Sequence, residues 1–267
     1  MTDALAADAQ PADTGTTRLT IADGIATILF DRPQARNAMT WRMYEELYAA
    51  CREITVRAGE VKVAVLRGVG GRAFVAGTDI EQFRTFTADD AVAYEEKVEA
   101  CVAALEAIPV PTLAVVEGWA VGGGFAIANA CDLRIATPGS RFGVPIARTL
   151  GNGLSASNLR RLQATLGLGM VKRMLLLAEM PVAEAMPAGY VEVVSSEALD
   201  GHLAEVCARL AGHAPLTMQA TKDALNRLAL EAAPPDEDLI RLVYGSADFK
   251  EGIAAFTAKR PPDWQGR

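Results

Sequence analysis

Two glycine-bearing segments carry the chemistry this sequence offers. Gly122-Gly123-Gly124 follows the apolar run TLAVVEG and precedes FAIANA. Glycines at a strand-to-helix turn let a ligand approach the backbone closely. The free N–H groups of a helix's first turn point to the same place, and the helix dipole adds partial positive charge there. Such a corner can stabilise an oxyanion, although a tight turn made only for packing has the same composition. The second segment, AFVAGTDI, places Ala76-Gly77 after another apolar run. Alone it is a loop. With the triple glycine it offers backbone donors from two separate loops, which an enolate oxygen requires. A further run, Gly68 to Ala73, fits G-x-G-x-x-A, but the dinucleotide fingerprint needs a helix immediately afterwards. Here Phe74 to Asp79 follows, with another glycine turn, so a glycine-rich loop of another kind is expected.

These loops need strands and helices to hold them. RLTIADGIATILF predicts two strands turning at Asp23-Gly24. Order is expected from near Arg18, with residues 1–16 a disordered leader. Pro33 breaks regularity in DRPQARNAM. Thr40 is placed to cap a helix through about Arg57, with Met43, Leu47, Ala50, Cys51 and Ile54 on one face. VKVAVLRG, TLAVVEG and LRIAT are short apolar strands, and residues 88–107 form a helix stopped by Pro109 and Pro111. This alternation predicts an α/β layer with mostly parallel pairing. From residue 155 onward the chain is nearly all helical, ending in amphipathic stretches near 216–230 and 236–258. The composition shifts near residue 200, giving a core at 17–200 and a C-terminal helical region at 201–267. The stripes Leu203, Val206, Leu210 and Leu239, Leu242, Val243 are expected to pack against neighbouring subunits.

Composition narrows the partners. The 267 residues carry a net charge of −7, which argues against nucleic acid, whose phosphates demand Lys and Arg. An anionic ligand needs a local basic patch, for which Arg36, Arg72, Lys250, Lys259 and Arg260 are available. Cys51, Cys101, Cys131 and Cys207 form no CxxC pair, so buried reduced thiols and no metal site are expected. His202 and His213 sit in a helical stretch and read as surface or helix-end residues. No apolar run reaches the roughly 20 residues of a membrane span, and the acidic N-terminus matches no targeting signal. A cytoplasmic protein with no membrane partner is expected.

The blocks DRPQARNAM, RAFVAGTDI, PTLAVVEGWAVGGGFAIANACDLRIAT, RFGVPIA, VEVV and DFKEGIAAFTAKRPPDW, in this order, resemble the enoyl-CoA hydratase/isomerase, or crotonase, superfamily over roughly residues 18–264. The resemblance implies a crotonase-like spiral of βαβ units with a C-terminal helical trimerisation region, assembled as a homotrimer or homohexamer. It implies an acyl-CoA thioester as partner, coenzyme A being part of the substrate and no separate cofactor being needed. It makes the N–H groups of Ala76 and Gly123 the oxyanion hole, and places Arg36 and Ala38 beside the nucleotide end of CoA. It puts Gly77, Thr78, Asp79 and Ile80 along the adenine and pantetheine path, and Trp119, Val121 and Gly122 around the thioester. Ile146 and Thr149 fall on the acyl-pocket loop. Phe249, Lys250 and Lys259 are candidates to approach CoA, including from a neighbouring subunit.

The chain departs from the family pattern where proton transfer is done. Family hydratases use two glutamates, and their positions here are Ala126 and Ile146. The loop RFGVPIARTLGNGLSASNLRRL also departs from the usual glycine-rich continuation. Candidate substitutes are Glu81, Glu117, Arg148, Thr149, Asn152 and Ser155, each with a structural alternative. Asp79 reads as a loop-fixing carboxylate and Asp132 as structural. Three readings stay open: an atypical lyase of the hydratase/isomerase family, a crotonase-fold decarboxylase or hydrolase, and a non-catalytic acyl-CoA or fatty-acyl binding protein. Decarboxylation forms an enolate without a base, so an oxyanion hole alone does most of its work.

Overall fold

The computed structural model describes residues 15–230 and 237–265. The chain opens with a hairpin, β1 (Thr16–Ala22) and β2 (Ile25–Asp31), turning at Asp23-Gly24 as the sequence predicts. Helix α1 (Trp41–Val56) follows, its first turn capped by Thr40, whose hydroxyl accepts from the Met43 amide. Then come β3 (Val63–Gly68), β4 (Ala73–Val75), α2 (Ala88–Glu106), β5 (Thr112–Val116), β6 (Trp119–Val121) and α3 (Gly123–Ala130). Next are β7 (Leu133–Ala136), β8 (Arg141–Gly143), α4 (Ile146–Thr149), α5 (Ala156–Leu176) and β9 (Glu192–Val193). The chain ends with α6 (Leu199–Ala211), α7 (Pro215–Leu230), α8 (Glu237–Tyr244) and α9 (Ala247–Thr257). Of the leader expected at residues 1–16, residues 1–14 lie outside the described residues, while Thr16 already pairs with Asp31 in β1.

Six strands form one sheet in the order β1-β2-β3-β5-β7-β9, parallel except for the opening hairpin. A parallel three-stranded sheet, β4-β6-β8, stands beside it and carries the glycine loops at its strand ends. The central strands are apolar on both faces because both are covered. Ala64 and Leu66 of β3, with Ala114 and Val116 of β5, join the larger core under α1, α2 and α3. Val63, Val65, Leu113, Val115 and Ile135 turn the other way, the period-2 alternation of a strand.

Helix α6 covers that second face, burying Leu199, Val206 and Cys207 with Leu203 and Leu210 partly buried. The stripe Leu203, Val206, Leu210, expected to face neighbouring subunits, therefore packs on this chain's own sheet. The boundary expected at residue 200 falls inside α6. Of the second stripe, Leu242 is exposed, while the side chains of Leu239 and Val243 lie outside the described residues. The segment expected to run helical through 236–258 divides at Gly245, where Ser246 caps α9 through the Phe249 amide. All four cysteines are free and buried. No described helix is long and apolar enough to cross a membrane.

Candidate active site

The two glycine loops meet. Gly77 has φ +105 and Gly122 φ +55, conformations that favour glycine. A Cβ built on Gly122 would lie 3.6 Å from the Gly77 Cα, and one built on Gly77 would lie 3.6 Å from the Val121 carbonyl oxygen. One built on Gly123 would lie 3.3 Å from Thr78 Oγ1. Strands β4 and β6 run parallel and adjacent, so the loops at their C-terminal ends emerge side by side.

The backbone donors there can be sorted. The Ala76 amide donates to the Arg36 carbonyl at 3.1 Å. Ala76 is thus no free oxyanion donor, which corrects the assignment made from the sequence. The next candidate is two residues on. Met39 bridges Thr78 in parallel fashion, its amide donating to Gly77 O at 2.9 Å while the Asp79 amide donates to Met39 O at 2.9 Å. In such a pair the bridged residue's own N–H points away from its partner. The Thr78 amide is therefore turned from Met39 and has no acceptor among the described residues. The Gly123 amide likewise has none, being in the first turn of α3, while Gly122 donates to the Gly143 carbonyl at 2.9 Å.

Behind these amides stand three phenols. Thr78 Oγ1 shares a hydrogen bond with Tyr44 Oη at 2.8 Å and another with Tyr94 Oη at 3.0 Å. Burial raises the Tyr44 and Tyr94 hydroxyls above the ordinary phenol range, so both stay neutral. Tyr244 donates to Glu95 Oε1 at 2.9 Å and accepts from Asn152 Nδ2 at 3.2 Å. Trp41, Phe83, Phe86 and Tyr94 pack as an aromatic cluster beside this network.

The other sequence-derived residues divide into those near the glycine loops and those held elsewhere. Arg36 is exposed at φ +53, with Ala38 two residues on. Asp79 accepts from Arg32 Nη1 at 2.8 Å and from the Glu81 amide at 3.2 Å, a loop-fixing role, and Ile80 packs against the core. Trp119 lies at the far end of β6, roughly 7 Å back from Val121, with the Arg141 guanidinium over its ring. Ile146 opens α4, partly buried against the core. The Thr149 hydroxyl donates back to Pro145 O at 3.0 Å. Phe249 is core, 1% exposed beside Tyr244 and Phe83, and so is not a surface contact for CoA. Lys250 and Lys259 are exposed, whereas Arg260 is paired with Glu251 at 2.6 Å.

Most substitute acid–base candidates are committed to structure. Glu117 pairs with Arg67 at 2.7 Å and Glu81 with Arg84 at 2.9 Å. The Ser155 hydroxyl caps α5, and Asp132 joins Thr112 and Lys222. The glycine-rich run 68–73 leads into β4 and not into a helix.

Sequence reading missed Asn37. Its side chain is fully buried, donates to Val69 O at 3.0 Å and Ala73 O at 2.8 Å, and accepts from the Arg32 amide at 2.9 Å. It ties the Arg36 loop to the strand that feeds Ala76. Its one local signal is φ +58, which asparagine tolerates better than most residues. Among the described residues no His, Cys, Asp and Glu cluster fits a metal.

The enoyl-CoA hydratase/isomerase family matches residues 20–267. The "Probable enoyl-CoA hydratase" of Mycobacterium tuberculosis is 35% identical over 251 residues, covering 93% of this chain and 98% of its own. The 2,3-dehydroadipyl-CoA hydratase of Escherichia coli is 32% identical over 253 residues, with 91% and 96% covered. A methylmalonyl-CoA decarboxylase solved in complex with 2-nitronate-propionyl-CoA superposes with TM-score 0.85 at 26% identity, covering 94% of this chain and 99% of that one. An enoyl-CoA hydratase/carnithine racemase from Magnetospirillum magneticum gives TM-score 0.76 at 30% identity, with 95% and 98% covered. This chain therefore belongs to the enoyl-CoA hydratase/isomerase family and has its crotonase α/β fold.

Proposed function

We propose that this protein binds an acyl-CoA thioester and stabilises its enolate on the backbone N–H groups of Thr78 and Gly123, in the decarboxylation of a 2-carboxyacyl-CoA. The observation that carries this reading is the pair of uncommitted amides, Thr78 and Gly123, on adjacent loops. The donors converge from separate loops, and the family resemblance aligns the apolar Ala126 and Ile146 with the two glutamates of hydratases. Hydration requires an activated water and a proton delivered to the α-carbon. Decarboxylation requires only that the electron pair left by departing CO2 be held as an enolate, which two preorganised N–H donors do. The TM-score of 0.85 with a methylmalonyl-CoA decarboxylase supports the same choice.

Arg36, Lys250 and Lys259 are the exposed cations this reading assigns to CoA phosphates. Assembly as a trimer or hexamer belongs to it as well, because Leu216, Leu225 and Leu228 on α7 and Leu242 on α8 stand exposed on a single chain. A cytoplasmic setting fits four buried thiols without a disulfide.

The test offers methylmalonyl-CoA and crotonyl-CoA side by side. CO2 release from the first with slow hydration of the second supports the proposal. Efficient crotonyl-CoA hydration without CO2 release overturns it. Tight binding of both without turnover moves the chain to the class of acyl-CoA carriers.

A further inference from the structure

The wall behind Ala126 is not wholly apolar. A cavity of about 10 Å³ is lined by Gly122, Ala126 and Asn129 at and within α3 and by Asn158 and Arg161 of α5. That volume is close to the minimum for a single water. The three polar side chains are deeply buried, Asn129 at 5%, Asn158 at 3% and Arg161 at 5% exposure.

Asn158 is the informative one. It sits in the first turn of α5, and its backbone amide and side-chain Nδ2 both donate to the cap oxygen Ser155 Oγ, at 3.3 and 3.1 Å. Its Oδ1 is buried without a partner among the described residues. Rotating the amide by half a turn exchanges oxygen for nitrogen but still leaves one polar end unmatched. A buried amide end left unmatched is costly, so its retention calls for an occupant.

Charge decides what the occupant is. Arg161 is held by Glu99 at 2.6 Å and by Glu106 at 2.8 Å, one cation against two carboxylates. A further carboxylate beside that group meets net repulsion, so a substrate carboxylate is disfavoured and a neutral group is favoured. Polar partners for a water are present. Asn158 Oδ1 accepts, the Arg161 guanidinium has hydrogens beyond its three bonds to the glutamates, and Asn129 keeps its amide nitrogen, its Oδ1 being taken by Thr165 at 2.8 Å and Tyr190 at 3.3 Å.

We propose that Asn158, with Arg161 and Asn129, holds one water in the cavity lined by Gly122 and Ala126, and that this water protonates the enolate where a carboxyl side chain is lacking. The inference rests on the decarboxylase reading above. The C–C bond to the carboxylate breaks, CO2 leaves, and its electron pair enters the enolate. The α-carbon then takes a proton from the water, forming the C–H bond, and the resulting hydroxide regains a proton from solvent. Asn158 is a positioning residue, acting through the water and not on the acyl group.

The test is Asn158→Leu, which has as many side-chain heavy atoms as asparagine but is apolar and bulkier and so fills the cavity, assayed with methylmalonyl-CoA in D2O. The parent is expected to give α-deuterated propionyl-CoA of one configuration. The variant should lose about 10²-fold in kcat, keep its KM, and give both configurations, while Asn158→Ser, which restores a polar atom, recovers part of the loss. A high-resolution crystal structure of the parent should show the water, and that of the variant should not. If the leucine variant does not fold, Ala126→Val fills the same cavity from α3 and should have the same effects. Unchanged kcat with a single product configuration in a cavity-filled variant overturns the proposal. So does a parent crystal structure without the water. A parent that releases no CO2 overturns the assigned reaction instead, and the crystallographic comparison then decides the water site by itself.

Discussion

Replacing Gly123 by alanine tests whether the two loops meet as described. Gly123 has an ordinary helical φ, so helix propensity alone favours alanine by about 1 kcal/mol. Packing opposes it. The new Cβ would stand 2.3 Å from Tyr44 Oη, where a carbon needs roughly 3.3 Å from an oxygen. Something must therefore move by about 1 Å. Tyr44 is 2% exposed and its hydroxyl is hydrogen-bonded to Thr78, so the strain should fall on the Gly123 corner. Overpacking of this kind costs about 1–3 kcal/mol, and a shift of about 1 Å at a reacting group costs roughly 10²-fold in rate. Tyr44→Phe removes the offending oxygen. The closest remaining contacts are then Thr78 Oγ1 at 3.3 Å and Tyr44 Cζ at 3.6 Å, both tolerable. Tyr44→Phe alone should cost about 1 kcal/mol for its lost hydrogen bond to Thr78. The double variant should nonetheless be more stable than the two single changes predict, with a coupling of about 1–2 kcal/mol. Urea denaturation of the four proteins measures this. A Gly123→Ala protein at least as stable as the parent, or strictly additive changes, refutes the geometry.

Three further outcomes follow from the structure. Arg36→Gly should weaken CoA binding about 10-fold in a calorimetric titration, the loss of one charge-assisted phosphate contact, while leaving stability unchanged or raised, because φ +53 suits glycine better than arginine. Arg161→Met should destabilise the fold by about 3–5 kcal/mol, since Glu106 and Glu99 would lose their buried partner. Burial raises the Glu106 carboxyl above its ordinary value of 4.5, with Arg161 opposing the rise. A carboxyl raised in the folded state stabilises the fold when protonated, and that contribution is lost as pH rises through its folded pKa. Without Arg161 the value rises further, so the variant should regain stability on acidification from pH 7 toward 5 by a larger margin than the parent.

The hairpin, α1 and the apolar strands were legible because their signals are local: a D-G turn, a threonine cap, and unbroken runs of Val, Leu and Ala. The meeting of the glycine loops was legible through the family resemblance. Which amide was free was not, because Ala76 loses its N–H to Arg36, a residue far away in sequence brought in by Asn37. The stripe Leu203, Val206, Leu210 was correctly amphipathic, but amphipathicity does not say what covers the stripe, and the second face of the sheet does. The family resemblance placed Phe249 near CoA, yet its ring fills the space between Tyr244 and Phe83. Asn158 had no signal of its own in the sequence. Its meaning comes from an unmatched amide end beside a one-water cavity, which only the packing of α3 against α5 creates.

The central claim, an enolate held by the amides of Thr78 and Gly123, is tested most directly by comparing the affinity of 2-nitronate-propionyl-CoA with that of propionyl-CoA. The nitronate is planar and carries its charge on oxygen, as the enolate does, while the rest of the two ligands is shared. Mimics of a charged reaction intermediate bind at least about 10²-fold tighter than the ground state when the site is built for that charge, and this is the predicted result. Equal affinities would contradict the account, because a pocket that merely sequesters acyl-CoA has no reason to prefer the anion.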